Sequence, residues 1–141
     1  MKPLFTSVTL AAWMIALPAP VFAAEPSAGQ QDYEIRCAMC HGGGGKGEGW
    51  LAAQLIQRVP PLTQMKKSNG GVFPFERTYQ VIDGRIDVRM HGPRTMPVWG
   101  EVYRAQSDAA NASSPWRLHV GEAFVRSRIL ALIEYISQLQ E

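Results

Sequence analysis

The strongest periodic signal lies at the C-terminal end of the chain. In "EAFVRSRILALIEYISQLQ", apolar Phe124, Val125, Ile129, Leu132, Ile133, Ile136 and Leu139 recur at helical spacing and mark one stripe. Arg126, Arg128, Glu134 and Gln138 fall mainly off it, so the segment predicts a long amphipathic helix. A second helix is predicted over Gly29 to Ala38, where Gly29, Tyr33 and Cys37 follow at intervals of four and share a face. A third is predicted over "PFERTYQVIDG", with Pro74 in its first turn and Gly84 just past its end. "WLAAQLIQR" predicts a short helix, which Pro60-Pro61 stops and draws into an extended segment. "TQMKKSNGGV" reads as loop with a turn at Asn69-Gly70-Gly71, and residues 85–100 show a period of neither 2 nor 3.6. Residues 105–118 are small and polar, so an inserted, exposed loop is expected over 104–120. No repeat and no strand emerges, and the predicted class is all-α.

The first residues stand apart from this pattern. Lys2 precedes an uncharged, mostly apolar stretch that Pro18 and Pro20 break, and Val21-Phe22-Ala23 supplies small residues at both cleavage-determining places. This predicts a signal peptide over 1–23 and a single mature domain over 24–141. The rival reading is an uncleaved anchor, which would tie the domain to a membrane. Its apolar core, Leu4 to Leu17, falls short of the roughly 20 residues that a spanning helix needs.

Composition then narrows the function classes. With 46% hydrophobic and 18% charged residues the chain reads as globular. A formal charge of +2, and Lys66-Lys67 as the one adjacent basic pair, argue against a nucleic-acid partner. The 13 glycines and 10 prolines leave an α-domain of this size a thin core, which calls for a staple.

The two cysteines suggest which staple. Cys37 and Cys40 are too close in sequence for a disulfide to restrict the unfolded chain much. With His41 directly after, they form Cys-x-x-Cys-His, the attachment sequence of haem c. Two thiols one helical turn apart reach neighbouring vinyl groups of one porphyrin, and the histidine supplies the proximal imidazole. A redox dithiol would want a βαβ setting, and structural zinc usually wants four ligands; neither is in view. Gly42 should end the first helix, and the run "GGGGKGEG" predicts an unusually mobile loop beside the haem.

These residues resemble the class I c-type cytochromes. Gly29, Tyr33 and "CAMCHG" are similar to that family's N-terminal helix, and "LIEYI", with Leu132 and Tyr135, to its C-terminal helix. The resemblance implies a cytochrome c fold, with several short helices around one covalent haem and the two terminal helices crossing at the glycine. "PPLT" resembles the family's Pro-x-Leu segment. It implies that the carbonyl of Pro60, or of Pro61, accepts a bond from His41 and that Leu62 packs on the haem.

The sixth iron ligand is sought among the methionines. Met39 lies inside the attachment turn and Met65 in a polar stretch. Met90 and Met96 remain, with His91 beside the first. Met96 is the chosen ligand, because "MPVWG" resembles the family's distal Met-Pro segment. Met90, His91 and an open site stay as alternatives. Leu55, Leu62, Phe73, Tyr79, Val81, Val98 and Trp99 are candidate haem-wall residues. Arg85, Arg89 and Arg94 are candidate propionate partners. The expected function is that of an exported, monomeric, periplasmic electron carrier, not an enzyme, meeting redox partner proteins transiently. The alternatives are a fixed haem c subunit of a periplasmic dehydrogenase or oxidase complex and, behind it, an open-site haem enzyme or gas sensor.

Overall fold

The computed structural model describes residues 25–86, 96–112 and 121–141, so the expected signal segment, Met90, His91, Arg89 and Arg94 lie outside the described residues. Helices follow in the order α1 (Ala28–Asp32), α2 (Ala38–His41), α3 (Met65–Ser68), α4 (Phe75–Asp83), α5 (Trp99–Ala112) and α6 (Gly121–Gln138). No strand occurs among the described residues. The all-α class read from the sequence is the observed one.

The first helix is continuous but not uniform. Ser27 caps it by accepting a bond from the Gln30 N–H, and a π-helical stretch, Tyr33–Cys37, joins α1 to α2. The wider turn opens where Cys37 must face inward, a place where π-bulges often mark function. Gly42, at φ 77°, stops α2 immediately after His41.

α1 crosses α6 at Gly29. A Cβ on Gly29 would lie 1.9 Å from the Ala131 carbonyl oxygen, so only glycine permits this approach. Beside the crossing, the Tyr33 ring packs 5.2 Å from that of Tyr135, and its hydroxyl donates to Gly42 O at 2.8 Å. Burial pushes the Tyr33 hydroxyl pKa upward. Val125, Ile129, Leu132, Ile133 and Ile136 are buried, so the apolar stripe of α6 is the core face.

The insertion expected over 104–120 is corrected for its first half. Residues 104–112 belong to helix α5, and the rest of the segment, with Trp116 and His119, lies outside the described residues. Ala105, Ala109, Ala110 and Ala112 are strong helix formers, and Gly100, Tyr103 and Ser107 form a buried face. That face is built from small and polar-tipped groups, with no buried aliphatic residue to mark it in the sequence. Two further segments differ. "TQMKKSNGGV" contains the short helix α3 before its expected turn, and "WLAAQLIQR" makes a single 3-10 turn at Ala52–Gln54. There Leu55, at φ −89° and ψ 138°, has already left the helical conformation and lines a cavity, while Ile56 is fully exposed.

α4 lies where the sequence placed it, closed by Gly84 in the left-handed conformation. Buried Asp83 at its end accepts from Arg85 Nε at 2.5 Å and lies 3.5 Å from Arg104 Nη2, tying α4 to α5.

Candidate functional site

The attachment turn and the loop behind it form one hydrogen-bonded unit. Gly47 N–H donates to His41 O at 2.8 Å, Gly49 N–H to Cys40 O at 3.0 Å, and Leu51 N–H to Met39 O at 2.9 Å. Leu62 N–H donates to Gly45 O at 2.7 Å. The loop is therefore laced down at both ends, which corrects the expectation of unusual mobility. A Cβ on Gly49 would stand 2.2 Å from Met39 O, so glycine is needed there for close backbone contact. Gly43 and Gly44 face open space.

Cys37 is buried and Cys40 half-buried, and neither is in a disulfide. In the chain before haem attachment, burial, and then the Asp32 carboxylate, push the Cys37 thiol up to about 12. His41 Nδ1 stands 3.2 Å from Pro60 O. A carbonyl can only accept, so Nδ1 carries the hydrogen and the neutral ring keeps its lone pair at Nε2. Pro60, not Pro61, is the partner.

Gln140 braces the segment that supplies this carbonyl. Its Nε2 donates to Leu62 O at 2.8 Å and Ile136 O at 3.0 Å, and its Oε1 accepts from Lys66 N–H at 2.9 Å. Gln140→Ala is expected to lower the unfolding free energy by about 1–2 kcal/mol, because two partly buried backbone groups lose their partner. Glu141→Ala, which breaks only exposed contacts, the pair with Lys46 and the bond donated by Gln64 Nε2, is expected to change it by less than about 0.5 kcal/mol. Urea unfolding compares the two; equal effects would mean that Gln140 braces nothing.

One cavity of about 530 Å³ collects the predicted residues. Cys37, Cys40 and His41 line it, and so do Pro60, Leu62, Met96 and Trp99. Leu55 and Val81 also line it as expected. Phe73, Tyr79 and Val98 do not: the first two pack on the core, and Val98 sits against Gly84. Arg85 turns away to Asp83 and stacks over Tyr79. Several wall groups escaped the sequence reading, among them Met65, Arg36, Arg58, Arg77 and the α6 pair Leu132 and Ile136. Met65 hid in a polar stretch, and nothing in the periodicity separates the part of the α6 stripe facing the cavity from the part facing α1. No group of three or more potential metal-ligating His, Cys, Asp or Glu side chains is assembled among the described residues.

Residues 24–112 match the family model described as cytochrome c oxidase, cbb3-type, subunit III. The chain belongs to this family. It is a c-type cytochrome, and its cofactor is covalently bound haem c. Curated proteins and solved structures give no match. The cavity fits that cofactor: its volume lies in the range of small-molecule sites, its lining is largely apolar, and two thiols and an imidazole converge on it. The cytochrome's general role follows from the family, namely haem-based electron transfer with other redox proteins. No described helix is long and apolar enough to cross a membrane.

Proposed function

We propose that the cytochrome is an exported one-electron carrier in which His41 and Met96 are the axial ligands of the haem iron. When bound, haem supplies a one-electron couple. The observation that carries this reading is the shared cavity, in which Met96 and the Cys37, Cys40 and His41 cluster are wall residues together. Pro60 orients the imidazole so that Nε2 is the ligating nitrogen. Pro97 follows Met96 directly and stiffens the loop that presents the sulfur. Two protein ligands leave no place for a substrate, so the role is outer-sphere transfer to transient partners by a monomer. The family match begins at residue 24, so the matched domain starts where the expected signal segment ends.

Met96→Ala tests the ligand. The weak long-wavelength band of the oxidised protein, which reports sulfur ligation, is expected to vanish in Met96→Ala and to persist in Met65→Leu. Its survival in Met96→Ala would overturn the assignment.

A second reading has its own support, the family's description as an oxidase subunit. In it the same domain is a fixed haem c subunit. Co-purification with a partner complex at submicromolar affinity would favour it over the free carrier. Rapid carbon monoxide uptake by the ferrous protein at neutral pH would favour an open site over both.

A further inference from the structure

The cofactor cavity has one charged wall group that is mostly withdrawn from water. Arg36 immediately precedes Cys37, lines the cavity, and has a side chain only 18% exposed. Arg58 and Arg77 also line the cavity but are exposed, so water and salt screen them.

Arg36 belongs to a buried cluster that joins α1, α5 and α6. Asp32 is 1% exposed, with Arg128 Nη2 at 2.5 Å from its Oδ1. Tyr103 donates its hydroxyl to Asp32 Oδ2 at 3.1 Å. Burial pushes the Tyr103 hydroxyl pKa upward, so it remains a donor. The Arg36 guanidinium is held differently. Its Nε stands 3.4 Å from Asp32 Oδ1 and makes no hydrogen bond, while the group lies over the rings of Tyr103, at 5.6 Å, and Trp99, at 6.0 Å. Two guanidiniums face one carboxylate, leaving the cluster with one net positive charge. Arg128 makes the closer contact with the carboxylate, and aromatic faces hold a cation without neutralising it.

We propose that Arg36 is a positioning residue for charge: it holds a cation against the haem and raises the reduction potential. Reduction brings one electron from a redox partner protein and lowers the charge of the haem by one. A fixed cation nearby therefore disfavours the oxidised form, and the low-polarity wall lets it act more strongly than an exposed arginine would. The inference rests on haem in this cavity and is independent of which partner is served.

The test is a spectroelectrochemical titration of the isolated holoprotein. At a fixed ambient potential, Arg36→Gln is expected to raise the oxidised-to-reduced ratio roughly three- to tenfold, a tenfold change being about 59 mV for one electron. Arg36→Met keeps an unbranched stem and is expected to do the same, should the glutamine variant fail to fold. Arg36→Lys keeps the charge and is expected to stay within about twofold of the wild type. The methionine-ligation band should match the wild type in every variant, so a ligand assignment that fails in the wild type is seen separately. Equal shifts in the lysine and uncharged variants would overturn the proposal. So would an unmoved midpoint in both uncharged variants, or a shift seen only with loss of that band.

Discussion

Prepared without haem, Cys37→Ala/Cys40→Ala is expected to show no cooperative thermal transition. The reason is the size of the space the cofactor fills. An apolar cleft of about 530 Å³ that lost its haem would expose its walls, at a cost of at most on the order of 10 kcal/mol, the value for a fully closed cavity at roughly 24 cal/mol per Å³. Domains of this size hold only about 5–15 kcal/mol of net stability. The walls must therefore collapse, and they include Leu132 and Ile136, which also belong to the buried core. Collapse at the cavity then spoils the packing of α6 itself. Helical signal in the far-ultraviolet circular dichroism is expected to survive in part, with the near-ultraviolet signal lost, as in a molten globule. A sharp melt with a native-like near-ultraviolet spectrum would sink the idea that haem is part of the core.

The same packing shows why some features were legible in the sequence and others were not. α6 was legible because its stripe is aliphatic and long. α4 was legible because Pro74 and Gly84 punctuate it. The chemistry was legible because Cys37, Cys40 and His41 must be close in sequence to reach one ring, so a short string carries the constraint. α5 was obscured because its buried face uses Gly100, Tyr103 and Ser107, which bind through polar tips and close contact. The glycine run misled for a related reason. Glycine reports an unusual backbone, and here Gly49 supplies tight contact instead of freedom. Arg36 was invisible as a wall group because its role depends on Asp32, Tyr103 and Trp99, which only the fold brings together.

Gly29→Ala is expected to be the most destabilising single substitution of one small residue by another in the described chain. In an open helix the change should stabilise by up to about 1 kcal/mol, because alanine is the better helix former. Here the added carbon would stand 1.9 Å from Ala131 O and 2.5 Å from Ala131 C. Both are backbone atoms of α6, so neither can move aside by changing a rotamer. The helices must separate, and Tyr33, Ile129, Leu132 and Ile133, all essentially inaccessible to solvent, lose contact as they do. Overpacking against side chains costs about 1–3 kcal/mol; against backbone the upper end or beyond is expected. At about 4 °C per kcal/mol for a domain of this length, the melting temperature should fall by roughly 10–15 °C. Gly43→Ala is the matched control, because its Cβ would meet nothing within 4 Å and its φ is not positive. That variant should stay within about 0.5 kcal/mol of the wild type. Melts of the three holoproteins decide the matter. If Gly29→Ala melts with Gly43→Ala, the two helices do not meet at Gly29 in solution.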